Sequence, residues 1–253
     1  MKTPNSPSLL GIDIGATSIK AASVSQEGKL LTPIRKRTTT TPMPPEVLMR
    51  QIGALARKFN ENEKVIIGFP GQVGQGVILS PDNLARRDGP GSDRVKEIYE
   101  QWVNFPLADE VASLLGCAVV VLNDADVAAL GASEGRGVEL TVTLGTGIGT
   151  GLVIDGVLQP HREYDNVPSF PNLTVDEAVG EQARKTLVHE EWQERLLNII
   201  VDLHQEIEWD QCFLTGGNAR RLSRDRLQEV DQSLWVVGEP VGITGAARVA
   251  ELF

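Results

Sequence analysis

The chain is poor in the residues that build metal clusters and disulfide frameworks. Its 253 residues include two cysteines, Cys117 and Cys212, and three histidines. The histidines are isolated and there is no Cys cluster, so no structural zinc site is expected. Each cysteine opens an apolar, strand-like run, which predicts buried free thiols and fits a cytoplasmic compartment. Basic residues are also scarce: 24 Lys and Arg stand against 34 Asp and Glu, a net charge of −10. That balance argues against non-specific binding to nucleic acid or to an anionic membrane. The opening Met1-Lys2-Thr3-Pro4-Asn5-Ser6-Pro7 lacks the apolar stretch of a secretory leader. No later apolar run approaches membrane-spanning length. No helix-turn-helix stretch precedes Leu9, so a transcriptional repressor is not expected either.

What is present is the composition of a globular enzyme, 41% hydrophobic and 23% charged, in a chain long enough for one large or two small domains. Two segments look like copies of one device. Ile12-Asp13-Ile14-Gly15-Ala16-Thr17-Ser18-Ile19-Lys20 and Leu144-Gly145-Thr146-Gly147-Ile148-Gly149-Thr150-Gly151 each follow an apolar run and turn on glycine and threonine. Each leads into a second run closed by a Gly turn, Glu27-Gly28 or Asp155-Gly156. Successive backbone N–H groups in such a turn can cradle an anion. Two of them in one chain suggest a duplicated domain gripping a phosphate chain.

Periodicity supports the duplication. The first half reads as strands over Leu9–Ile14, Ile19–Ser25 and Lys29–Arg35, then a Thr/Pro loop over Thr38–Pro45. A helix from Pro45 to Phe59, a strand at Val65–Ile67, a helix over Leu107–Leu115 and a strand over Ala118–Leu122 follow, with a helix over Val127–Ser133. The second half repeats the order, with strands at Leu140–Leu144, Gly151–Ile154 and Val157–Leu158. Thr174-x-x-Glu177 opens a helix as a capping box, and Trp192 to Ile207 marks a longer amphipathic one. A strand at Cys212–Leu214 runs into Gly216-Gly217-Asn218-Ala219; a strand at Leu234–Val237 and a helix over Thr244–Leu252 close the chain. No linker separates the halves. The expected domains are 1–122 with the closing segment 241–253, and 123–240.

Asp124 is the first candidate for chemistry. It follows a buried strand and precedes a helix, where strand ends of α/β folds present side chains to a cleft. A carboxylate there can take the proton of a hydroxyl attacking a phosphoryl group. Taken alone, Asn-Asp-Ala-Asp favours a helix cap at Asp124, and Asp126 reads as a cap or first-turn dipole partner. Asp13 lies between Ile12 and Ile14, where a buried charge needs a partner. A metal-bound phosphate or Lys20 would serve. Two basic stretches, Arg35-Lys36-Arg37 and Arg220-Arg221 with Arg224 and Arg226, could track a polyanion or be solvated faces.

In order along the chain, Asp-x-Gly-x-Thr, Gly-Phe-Pro-Gly, Asn-Leu, Asn-Asp-Ala, Leu-Gly-Thr-Gly-x-Gly and Gly-Gly-Asn-Ala resemble the sugar kinases of the repressor, open reading frame, kinase family. Asn123-Asp124-Ala125-Asp126, Thr41-Pro42-Met43-Pro44 and the Glu190-Glu191-Trp192 helix make the chain most similar to the polyphosphate glucokinase branch. The resemblance runs from Gly11 to Ala247. It implies the actin-like ATPase fold, two ribonuclease-H-like α/β domains around a central cleft. It implies a cytoplasmic kinase that moves a phosphoryl group from polyphosphate or ATP to the 6-hydroxyl of glucose or a related hexose. By position, Asp124 is the general base. Asp13, Gly15, Thr17, Gly145, Thr146, Gly147, Gly216 and Gly217 line the donor. Gly71, Asn83, Asn123, Asp124 and Glu163 meet the sugar. Mg²⁺ is implied at Asp13 through water or phosphate, without zinc, and a homodimer is the family's usual assembly.

The chain departs from the family pattern in two places. Gly15-Ala16-Thr17 stands where the family has Gly-Gly-Thr, and Glu163-Tyr164-Asp165-Asn166 where it has Glu-Leu-Gly-His. The second change leaves two other readings open. One is a catalytically weak sugar- or nucleotide-binding protein of the same fold; the other is a kinase of another small hydroxylated substrate. Asn83-Leu84 also continues into a basic, Gly-rich loop over Ala85–Gly91.

Overall fold

A computed structural model describes residues 8–59, 63–89, 91–164, 168–238 and 240–253. The chain divides into two compact units, residues 1–127 with 242–253 and residues 128–241. Asn123 and Asp124 therefore belong to the first.

The first unit opens with β1 (Leu9–Ile14), β2 (Ser18–Val24) and β3 (Arg35–Thr38), followed by α1 (Pro45–Ala56) and β4 (Lys64–Phe69). A hairpin of β5 (Gln72–Gly74) and β6 (Val77–Ser80) follows, then a 3₁₀ turn over Asp82–Ala85. Next come α2 (Lys96–Trp102), α3 (Leu107–Leu115), β7 (Ala118–Asn123) and the first turn of α4 (Asp124–Ala132), whose remainder belongs to the second unit. The sheet order is β3-β2-β1-β4-β7, with β3, β2 and β1 antiparallel and β1, β4 and β7 parallel. In β1, Leu9, Leu10, Ile12 and Ile14 are all buried, as both faces of a covered parallel strand should be. Ile12, Ile14, Ile19, Leu48, Ile52, Ile67, Phe69 and Trp102 form the core. Trp102 satisfies its indole by donating to the Met43 carbonyl at 2.7 Å.

The second unit repeats this plan. It runs β8 (Val138–Leu144), β9 (Ile148–Ile154), β10 (Val157–Leu158), α5 (Val175–Val179), α6 (Glu181–Thr186), α7 (His189–Glu206), β11 (Gln211–Thr215), α8 (Arg224–Val230) and β12 (Leu234–Val236). Its sheet order is β10-β9-β8-β11-β12, again antiparallel over the first three strands and parallel over the last three. The β9–β10 turn places Asp155 and Gly156 at φ of 48° and 80°, the two left-handed residues that match a tight turn to strand twist. Thr174 and Glu177 form the reciprocal capping box of α5. The Trp192, Leu196, Ile200 and Leu203 face of α7 packs into a second core with Leu140, Val142, Leu144, Cys212 and Leu214. The chain closes with α9 (Val241–Thr244) and α10 (Ala246–Leu252).

Several elements depart from expectation. The third strand is Arg35–Thr38, not Lys29–Arg35. Pro33 cannot donate to a ladder, and Thr32 instead accepts the Ser23 N–H on its hydroxyl at 3.0 Å. Helix α1 stops at Ala56, because Lys58 and Phe59 donate back only three residues in tightening turns. The β5–β6 hairpin and α2 lack a readable period. The last helix is two, α9 and α10, separated at Gly245. Cys212 is buried as expected, while Cys117 is only partly so; both are free thiols. No helix among the described residues is long and apolar enough to cross a membrane.

Candidate active site

In the first unit, three neighbouring parallel strands end together. Asp13 on β1 is the register partner of Gly68 on β4, and Gly68 in turn pairs with Leu122 on β7. A Cβ on Gly68 would lie 3.1 Å from the Asp124 Cα, so β4 passes closely under the start of α4. The Asn123 side chain organises this corner. Its Oδ1 accepts the N–H groups of Ala125 at 2.8 Å and Asp126 at 3.4 Å, and its Nδ2 donates to the Gly71 carbonyl at 3.0 Å. That is the hydrogen-bonding pattern of a helix N-cap. The cap is thus Asn123, and Asp124 is the first helical residue, half-buried, its Oδ1 accepting the Ala125 N–H at 3.0 Å. Helix α4 accordingly begins three residues earlier than expected, and Asp126 is buried in its first turn.

Gly71 is buried at φ 150°, and a Cβ there would meet the Ser80 carbonyl oxygen at 2.2 Å. Only glycine fits. Asn83 stands apart from these contacts, on the 3₁₀ turn where Arg86 N–H donates to its carbonyl at 3.2 Å. The structure thus joins Gly71, Asn123 and Asp124 at one corner.

Asp13 pairs with Lys20 at 3.2 Å, each side chain about one-fifth exposed. The turn after β1 is closed by Gly15 N–H donating to the Ser18 carbonyl at 3.0 Å. Thr39 pins it, donating through its hydroxyl to the Gly15 carbonyl at 2.8 Å and through its N–H to the Thr17 carbonyl at 3.0 Å. Thr17 itself is exposed.

The second unit carries the matching turn. Gly145 N–H donates to the Gly147 carbonyl at 3.0 Å, and Thr146 stands at the tip between β8 and β9. Three groups hold it. Asp176 Oδ1 accepts the Ile148 N–H at 2.7 Å, close enough that a Cβ on Gly147 would sit 2.6 Å from Oδ2. Glu181 N–H donates to the Thr146 carbonyl at 3.1 Å. Asn218 Nδ2 donates both to the Gly145 carbonyl and to Glu181 Oε2, each at 3.0 Å. The Gly216–Gly217 turn is drawn in by the same residue, since Asn218 N–H donates to the Leu144 carbonyl at 3.0 Å. A Cβ on Gly216 would lie 2.6 Å from that oxygen. The five glycine and threonine positions of this unit that were expected to line the donor are therefore one assembly.

Glu181 is ionised over a wide pH range. Two hydrogen bonds from Arg184, helped by Asn218 and Lys185, outweigh partial burial and bring its pKa to about 2. Asp176 and Glu181 carry no signal of this role in the sequence: the capping box locates α5 but says nothing of where its second residue points, and Gly180-Glu181 has no motif of its own.

Glu163, also in the second unit, lies 2.9 Å from His161 Nε2. The neighbouring Arg162 pairs with Glu206 and covers the Tyr164 ring at 4.7 Å. Thr150 donates to the Arg162 carbonyl at 3.1 Å, tying the segment to β9. Asp165 and Asn166 lie outside the described residues. Among the described residues no group of three or more His, Cys, Asp or Glu is placed to hold a metal ion. Asp13 is nonetheless the kind of donor Mg²⁺ uses when phosphates and water complete its shell, a single hard carboxylate.

The chain is similar to known proteins over nearly its whole length. Over 253 residues the chain is 25% identical to polyphosphate glucokinase of Mycobacterium tuberculosis, spanning 95% of this chain and 90% of that protein. It is 33% identical to glucokinase of Thermotoga maritima over 160 residues, 61% of this chain and 47% of that one. Among solved structures, inorganic polyphosphate/ATP-glucomannokinase of an Arthrobacter species superposes with a TM-score of 0.77 at 26% identity, covering 97% of this chain and 99% of that chain. A glucokinase from Streptomyces griseus, solved with glucose and AMPPNP, gives a TM-score of 0.72 at 21% identity over 97% of this chain and 100% of that one. The fold is the actin-like ATPase fold of these kinases, two repeats of one α/β plan. The ROK family pattern matches residues 9–161, and the chain belongs to the ROK family.

Proposed function

We propose that the protein is a sugar kinase, transferring a phosphoryl group from polyphosphate or ATP to the 6-hydroxyl of glucose or a related hexose. One observation carries the reading: the helix-capping role open to Asp124 is filled by Asn123. Asp124 then serves as the general base. As the hydroxyl oxygen attacks the terminal phosphorus, its proton passes to the Asp124 carboxylate, and the bond to the donor's bridging oxygen breaks. Gly71, Asn83, Asn123 and Glu163 complete the sugar contacts, with Asn123 also setting the angle at which Asp124 leaves β7.

The family resemblance assigns Asp13, Gly15, Thr17, Gly145, Thr146, Gly147, Gly216 and Gly217 to the donor, residues that offer amides, hydroxyls and one carboxylate. Phosphoryl transfer needs positioning and charge neutralisation more than covalent help. Mg²⁺, held by Asp13 through water or phosphate, would supply part of that neutralisation. A homodimer and cytoplasmic residence belong to the same reading and rest on the family resemblance. A kinase of a different small hydroxylated acceptor is the second reading, favoured by the engagement of Glu163 with His161.

The test is Asp124→Asn. Turnover should fall by about 10²–10⁴-fold, the usual worth of a general base, with sugar affinity by titration and the unfolding midpoint close to wild type. Turnover near the wild-type rate would remove Asp124 from the chemistry.

A further inference from the structure

The open edge of the first sheet is a basic strand. β3 reads Arg35-Lys36-Arg37-Thr38, and all four residues are exposed. Among the described residues no carboxylate lies within ion-pair distance of Arg35, Lys36 or Arg37. That is unexpected in a chain with a net charge of −10. Charged edge strands do guard sheets against pairing with other chains. The repeat supplies an internal control. In the second sheet the same edge position is held by β10, Val157 and Leu158, so the fold itself asks for no cations there.

Register shows where these charges lead. Asp13 is directly opposite Lys20, and Lys20 directly opposite Lys36. Residues opposite one another on adjacent strands share a face. Asp13, Lys20 and Lys36 therefore form one row across three strands, about 10 Å from first to last at ordinary strand spacing. Lys20 has the Asp13 carboxylate at 3.2 Å, and Lys36 opposite it adds a second positive charge to the row, which a bound anion would neutralise. The row is also fixed to the first phosphate-type turn, because Thr39, the residue after β3, holds the carbonyls of Gly15 and Thr17. The second basic cluster is differently engaged. Arg220 Nε donates to the Gly217 carbonyl at 3.0 Å, and the Arg224 guanidinium lies 5.8 Å from the Trp235 ring centroid.

We infer that Lys20 and Lys36, flanked by Arg35 and Arg37, form a track that carries a long inorganic polyphosphate chain from Asp13 out to the edge of the first sheet. The inference rests on the kinase reading and names its donor. A nucleoside triphosphate has too few phosphates to need a cationic row reaching the third strand.

The experiment compares kcat/KM for long-chain polyphosphate, tripolyphosphate and ATP, at saturating glucose, in the wild type, Lys36→Ala, Lys36→Arg and Lys58→Ala, the last an exposed cation after α1. In Lys36→Ala the polyphosphate-to-ATP ratio should fall by about five- to tenfold, the worth of one charge-assisted contact. Lys36→Arg should restore it, and Lys58→Ala should leave it unchanged. The loss should disappear with tripolyphosphate, and polyphosphate KM should depend less steeply on salt. An unchanged ratio, an equal loss with both donors, or a wild type that uses ATP but not polyphosphate would overturn the track. So would a single-stranded oligonucleotide displacing polyphosphate at equal phosphate concentration. Should neither donor yield a sugar phosphate, the kinase reading fails by itself. Equilibrium binding of polyphosphate then decides the track: weaker binding in Lys36→Ala sustains it, equal binding ends it.

Discussion

Replacing Asn123 by alanine removes an acceptor for two helix N–H groups and the donor to the Gly71 carbonyl in a single step. Loss of a cap and of a buried hydrogen bond together should lower the unfolding free energy by about 1–3 kcal/mol. Urea unfolding of Asn123→Ala and Asn123→Asp measures it. The aspartate keeps the cap and loses only the donor, so its deficit should be the smaller of the two. Equal deficits would mean that the cap contributes nothing. The dipeptide Asn123-Asp124 is visible in the sequence, but the division of labour within it is not. Both residue types cap helices well, and only the register of the first turn decides which one does. Glu163 is singled out by its place in the sequence pattern, whereas its 2.9 Å contact with His161 is a matter of loop conformation. Glu163→Ala should lower kcat/KM for glucose by about tenfold or more, the cost of a buried partner left unpaired. A rate indifferent to the change would take this segment out of the acceptor site.

At the scale of elements, the β8–β9 turn is positioned by groups that the glycine motif does not contain. Glu181 is held at about 2 chiefly by Arg184. Its folded pKa is depressed, so its contribution to stability is present above the ordinary carboxylate range. That contribution drains away as the pH falls from about 4.5 toward 2. Thermal unfolding followed over that window should show a steeper loss in the wild type than in Glu181→Gln. Parallel curves would show that the pair adds no net stability. Gly147→Val addresses the same turn from the other side. Its Cβ would press on the Asp176 carboxylate, lifting the turn from α5, and donor KM should rise by about tenfold while glucose KM stays within about twofold. Titration showing unchanged donor affinity would separate this turn from the donor. Most long elements were legible, α3 to the residue, because Leu107 and Val111 face the core with helical spacing. The third strand was not. Leu30 and Leu31 look like strand residues but are exposed, and Pro33 hands the ladder to a basic segment with no hydrophobic signal at all.

For the molecule as a whole, the duplication explains why so much could be read twice. Each unit has its own five-stranded sheet in the same order and its own core. Cys212 lies inside the second core, where burial and the Asp231 carboxylate push its thiol pKa well up. Cys117, partly exposed and raised by burial alone, is the more accessible. A thiol reagent should therefore modify at most Cys117 in the native protein and reach Cys212 only on unfolding. Rapid native labelling of Cys212 would contradict the packing of that core. A coupled phosphorylation screen, crossing several hexoses with ATP and polyphosphate in the presence of Mg²⁺, decides the proposed reaction, with ³¹P and ¹³C NMR to locate the new ester. A phosphate monoester should form on the 6-hydroxyl of glucose or a close relative, and none on the 6-deoxy sugar. Donor hydrolysis alone, or no ester on any hexose, would overturn the kinase reading.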